Sequence, residues 1–149
     1  MKRPVIRLNT RFIEYIRYLV EHYPEISYIW LFGSRTNGRA SKESDWDIMI
    51  FGNRSTAARM RCDPFTFRAK ADVFIAVKNA FRSVWPSVDG TKRSGTLVGK
   101  GSWRWRRIAP RYALYDGAQR PYDDQSLPLL QSVAVCIYDR SKGYMGGEK

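Results

Sequence analysis

The sequence predicts an α/β or α+β fold, a mixed β-sheet with flanking helices, and three observations carry that prediction. An amphipathic segment comes first, three short apolar runs follow it, and turn residues punctuate them so that the first half reads helix, strand, short helix, strand, helix, strand. At 149 residues and 44% hydrophobic, the chain can bury one respectable core, so a single domain over 1–149 is expected. Its core would span about 10–78, and a basic, β-rich extension would run over about 79–140.

From Thr10 to Tyr23, the residues Phe12, Ile13, Ile16, Leu19, Val20 and Tyr23 recur at helical spacing. Asn9 or Thr10 is available as the cap and Pro24 as the stop. Ile26 to Phe32 is almost continuously apolar and predicts a buried strand that delivers Gly33 into a turn with Ser34, Asn37 and Gly38. Asp45 to Phe51 predicts a second strand, closed by Gly52-Asn53, and Arg54 to Arg61 a short helix. Ala71 to Val77 predicts a third strand. Further on, Gly95 to Ile108 reads as a Gly-broken hairpin, and Ser132 to Tyr138 as a last strand before a Gly-rich tail.

Charge and composition remove several function classes. Twenty-six Lys and Arg against 14 Asp and Glu leave a formal charge of +12, which points to polyanionic partners. Ten of those cations fall between Lys78 and Arg120, where the acids are Asp89 and Asp116 alone. Cys62 and Cys136 offer neither a disulfide framework nor a zinc motif and read as small core fillers, so a reducing, cytoplasmic setting is expected. The single histidine, His22, reads as a helix-end residue and excludes sites that need two imidazoles. Any metal must therefore sit on carboxylates. No run approaches about 18 apolar residues, so no membrane span is expected.

The chemistry concentrates on Gly33-Ser34, Asp45, Asp47 and Asp72. Alternate residues of a strand share a face, so Asp45 and Asp47 point together while Trp46, Ile48 and Ile50 point into the core. Two ionised carboxylates so close repel one another, and a hard divalent cation, Mg²⁺ or Mn²⁺, relieves that repulsion. Gly33 lets the backbone approach a bound group, and Ser34 opens a short helix whose N–H groups and hydroxyl suit a phosphate. Asp72, near the start of the third strand, would face the same cleft, as a ligand or as the acceptor of a proton. Asp63 competes for that role but also suits a cap for the turn at Pro64. Arg35 and Arg39 are candidates for phosphate contact. In Trp103-Arg104-Trp105-Arg106, a strand would send the tryptophans to one face and the arginines to the other. Packing tryptophans with solvated arginines is the favoured reading there; a stacking and phosphate platform for single-stranded nucleic acid is the sharper one.

Leu31-Phe32-Gly33-Ser34-Arg35, then Ser44-Asp45-Trp46-Asp47, then the strand-borne Asp72, resemble the nucleotidyltransferase superfamily that includes DNA polymerase beta, and above all its minimal members. The resemblance covers roughly residues 10–77. It implies that Gly33 and Ser34, with Arg35 beside them, bind a nucleoside triphosphate, ATP by expectation, and that Asp45, Asp47 and Asp72 hold magnesium ions. It implies transfer of a nucleoside monophosphate to a hydroxyl, with pyrophosphate leaving. The acceptor expected from charge is an RNA or an acidic protein. Family analogy adds a helical, toxin-like partner protein. The alternative is a module of the same fold that binds nucleic acid without catalysis, or an antitoxin-like protein that buries a partner's site.

Overall fold

The structure, a computed structural model, describes residues 6–36, 40, 44–67, 70–86, 93–99, 103–118 and 130–144. Asn37 and Gly38 of the expected turn, and the phosphate-contact candidate Arg39, lie outside the described residues.

Helix α1 (Thr10–His22) forms where the periodicity predicts it. Asn9 Oδ1 accepts the Phe12 N–H at 2.8 Å and caps the first turn, and Pro24 follows the end. Phe12, Tyr15, Ile16 and Leu19 form the buried stripe. Each such side chain contributes about 1.5–3 kcal/mol when fully removed from water, so tertiary burial far outweighs propensity here. Helix α2 (Arg54–Arg61) is closed by a capping box between Asn53 and Thr56, and it buries Thr56, Ala57 and Met60.

The strands are β1 (Tyr28–Phe32), β2 (Trp46–Phe51), β3 (Ala71–Val77), β4 (Ala80–Ser83), β5 (Ser94–Thr96), β6 (Arg106–Ala109), β7 (Tyr112–Ala118), β8 (Leu130–Asp139) and β9 (Gly143–Tyr144). Among the described residues all nine join one sheet, in the order β5-β4-β3-β2-β1-β8-β7-β6, with β9 on β8. Only β2 and β3 run parallel, joined through α2; the other pairs are antiparallel. The mixed sheet with flanking helices expected from the sequence is thus present.

The sheet separates two apolar clusters. Ile29, Leu31, Ile48, Ile50, Val73 and Ile75 face α1 and α2, and Trp46 stacks on Phe12 with ring centroids 4.1 Å apart. Trp30, Phe32, Met49, Phe74 and Ala76 face the other way, against Phe81, Ala113 and Tyr115. Among the described residues no helix covers this second face. It is covered by Trp103 and Trp105, which pack on Phe32, Phe81 and Tyr115.

Here the expected hairpin over Gly95 to Ile108 does not form. Its arms β5 and β6 lie at opposite ends of the strand order, and Leu97, Trp103 and Trp105 between them pack on the second face. The Trp103 N–H donates to the Thr96 carbonyl at 3.2 Å, and its carbonyl accepts from Asp116 N–H at 2.6 Å, so one residue ties β5 to β7 and curls the sheet around the tryptophans. Trp103 to Trp105 is not strand, and Arg104 sits at φ 49°, in the left-handed region. The predicted last strand is longer than Ser132 to Tyr138, is followed by β9, and lies beside β1 in the middle of the sheet. Strands β4 and β7 had no separate signal. Cys136 is buried, but Cys62 is exposed and fills no core.

Candidate active site

The parallel register of β2 and β3 sets Asp47 opposite Asp72, while the antiparallel register of β1 and β2 sets Phe32 opposite Asp47. Gly33, Asp47 and Asp72 are therefore brought together where three adjacent strands meet the turn. Asp47 lies two residues before Met49, and Asp72 two before Phe74, so both carboxylates stand on the tryptophan-covered face. Asp45, immediately before β2, is exposed and adds its negative charge to Asp47. Burial, first, and then the Asp72 carboxylate push the Asp47 pKa up to about 7, with Arg93 opposing and Asp45 reinforcing. The cluster is short of positive charge.

Gly33 occupies φ 77°, where a side chain is strained. A Cβ there would also collide with Asp47 Oδ2 and stand 3.0 Å from its Cγ. The bare backbone at Gly33 is what lets the turn sit against the carboxylate. The helix expected to open at Ser34 is a single 3₁₀ turn, Gly33–Arg35, and the Gly33 N–H is not offered to a ligand; it donates to the Tyr115 hydroxyl at 2.8 Å. Ser34 is half-buried beside it. Arg35 lies 4.0 Å over the Trp46 ring and donates from Nη2 to the Ser44 carbonyl at 2.7 Å, which fastens the turn to the approach of β2. Its Nε is buried without a hydrogen-bond partner among the described residues.

Two residues that sequence reasoning had not singled out complete this region. Tyr115, on β7, reaches Gly33 across 82 positions, and burial pushes its phenol pKa up. Arg93 Nη2 lies 3.1 Å from Asp72 Oδ1. Arg93 was visible only as one cation in a basic stretch. Asp63 is placed elsewhere: it caps Phe65 N–H and accepts from the hydroxyls of Tyr18 and Tyr23 at 2.7 and 2.9 Å. It belongs to the helix side of the sheet.

The Trp103 and Trp105 rings are engaged in the core, while Arg104 and Arg106 are exposed. Arg104 lies 3.6 Å from Asp116. With Val98, Gly99 and Trp105, these arginines line a shallow cavity of about 400 Å³. Among the described residues no three His, Cys, Asp or Glu side chains converge tightly enough to enclose a metal ion. The Asp47–Asp72 pair nonetheless fits a hard cation by its chemistry: the donors are carboxylate oxygens, and their mutual repulsion is offset among the described residues by Arg93. None of the helices is long and apolar enough to cross a membrane, among the described residues.

The structure thus sets a glycine-serine turn against paired carboxylates on neighbouring strands. Residues 14–80 match the family model described as polymerase beta, nucleotidyltransferase, and this part of the chain is similar to that family. No curated protein and no solved structure matches the chain.

Proposed function

We propose that the protein is a metal-dependent nucleotidyltransferase that moves a nucleoside monophosphate from an NTP, ATP in the first instance, to a hydroxyl of an RNA or an acidic protein. The observation that carries this reading is the lateral pairing of Asp47 with Asp72 beside Gly33. Asp45, Asp47 and Asp72 would hold Mg²⁺ or Mn²⁺, whose contribution when bound is to neutralise the triphosphate and the charge that develops during transfer. Ser34 and the backbone of its turn would bind phosphate oxygens. The acceptor oxygen bonds to the α-phosphorus, the bond to the pyrophosphate oxygen breaks, and Asp72 takes the hydroxyl proton. Positioning and charge stabilisation, with no covalent intermediate, would supply the rate.

The test incubates the protein with each NTP and Mg²⁺, labelled at the α- or the γ-phosphate, with and without total RNA and cell lysate. Movement of α-label but not γ-label onto a macromolecule is expected, and the labelled band identifies the acceptor, a toxin-like partner protein included. The Asp45→Asn, Asp47→Asn double variant should fold and transfer nothing. Label moving in neither form while the folded protein retains RNA would replace the enzyme by a nucleic-acid-binding module.

A further inference from the structure

The ion pair between Arg93 and Asp72 has no part in the transfer chemistry set out above, yet it is built in some detail. The Arg93 backbone is held to β4: Ser83 N–H donates to the Arg93 carbonyl at 2.8 Å, and Arg93 N–H donates to Ser83 Oγ at 3.1 Å. The guanidinium stands 4.8 Å over the ring of Phe74, two residues along β3 from Asp72, on the same face. Its root is thus bound and its plane rests on an aromatic ring, so the charge is delivered to the carboxylates.

Resting on the transferase reading, we propose that Arg93 is the built-in counter-ion of the cation-free site. It holds Asp72 until a divalent cation competes for that carboxylate, and it thereby sets how tightly the site takes the cation. A guanidinium brings one delocalised charge, whereas a hard divalent cation brings two and bonds the oxygens directly. The exchange is feasible because the pair is half exposed, with side-chain accessibilities of 49% for Arg93 and 37% for Asp72, and an exposed pair is weak. Once displaced, the guanidinium stays tethered at the rim of the cleft, where a triphosphate would bring negative charge.

The experiment titrates Mn²⁺ into the full chain and follows free Mn²⁺ by electron paramagnetic resonance, comparing wild type with Arg93→Gln, Arg93→Lys, Asp72→Asn and Arg17→Gln. Arg93→Gln should bind Mn²⁺ about three- to fivefold more tightly at low salt, as expected for removal of an exposed competing ion pair. The difference should shrink as salt is raised. Arg93→Lys should stay near wild type and Asp72→Asn should bind more weakly. Arg17→Gln, which removes an equal charge from the exposed side of α1, should change nothing. Equal or weaker binding in folded Arg93→Gln, or the same gain in Arg17→Gln, overturns the role of Arg93 and leaves the transferase reading standing. Absence of Mn²⁺ binding in every form, Arg93→Gln included, overturns both.

Discussion

At Gly33 the site has room for a hydrogen atom and nothing larger. Gly33→Ala would meet the left-handed backbone, at about 1–2 kcal/mol, and the Asp47 carboxylate besides. We expect a lower urea midpoint and a transfer rate reduced about a hundredfold, the scale of an ångström of misplacement. Asp47 carries a second prediction. Its folded pKa is raised above the unfolded carboxylate value, so the folded state binds the proton more tightly. The stability this group contributes is full below about pH 4 and is lost as pH rises through about 7. Without divalent cations, wild type should lose melting temperature across that window relative to Asp47→Asn, which cannot ionise there. Parallel melting curves for the two proteins would contradict the assignment.

Among the elements, the segment from β5 to β6 shows what local pattern can and cannot reveal. α1, α2 and β1 to β3 were legible because each is specified by its own residues: a period of 3.6 with Asn9 as cap, the turn at Gly52-Asn53 ahead of the short helix, and apolar runs such as those ended by Gly33 or Gly52. Asp47 and Asp72 were legible for the same reason, since alternation along β2 and β3 decides their face, whereas Asp45 stands just before β2. The Gly95 to Ile108 hairpin was misread because glycines flanking β-prone residues look alike whether the chain turns back or crosses a sheet. Arg93 and Tyr115 were hidden by distance, as their partners Asp72 and Gly33 are neighbours only through strand pairing. Trp103 decides the crossing, and truncating it should destabilise by about 2–4 kcal/mol, below the full cost of a wholly buried aromatic because its ring is partly exposed. Urea unfolding of Trp103→Ala measures this; a change within about 0.5 kcal/mol would mean that the crossing is held by Trp105 alone.

For the molecule as a whole, the sheet divides labour between its faces. One is sealed by α1 and α2; the other carries the carboxylates, the tryptophans and the exposed cations Arg93, Arg104 and Arg106. A polyanionic acceptor would therefore approach the second face, drawn by the +12 charge. RNA affinity should fall log-linearly with salt, and Arg104→Ala with Arg106→Ala should lower the slope by about 2 without altering sequence preference. An unchanged slope would move the acceptor to another surface.

The place of β8 also governs when the protein can exist at all. β1, which leads into Gly33, is flanked by β2 on one side and β8 on the other, so the family-matching stretch emerges from the ribosome with one edge of β1 bare. At about 5–20 residues per second, β8 follows β2 by about 4 to 16 seconds, and until then that edge is open to any passing strand. Until β8 is made, the turn at Gly33 is framed on one side only, so the candidate site is completed by a strand far along the chain from the stretch that carries its carboxylates.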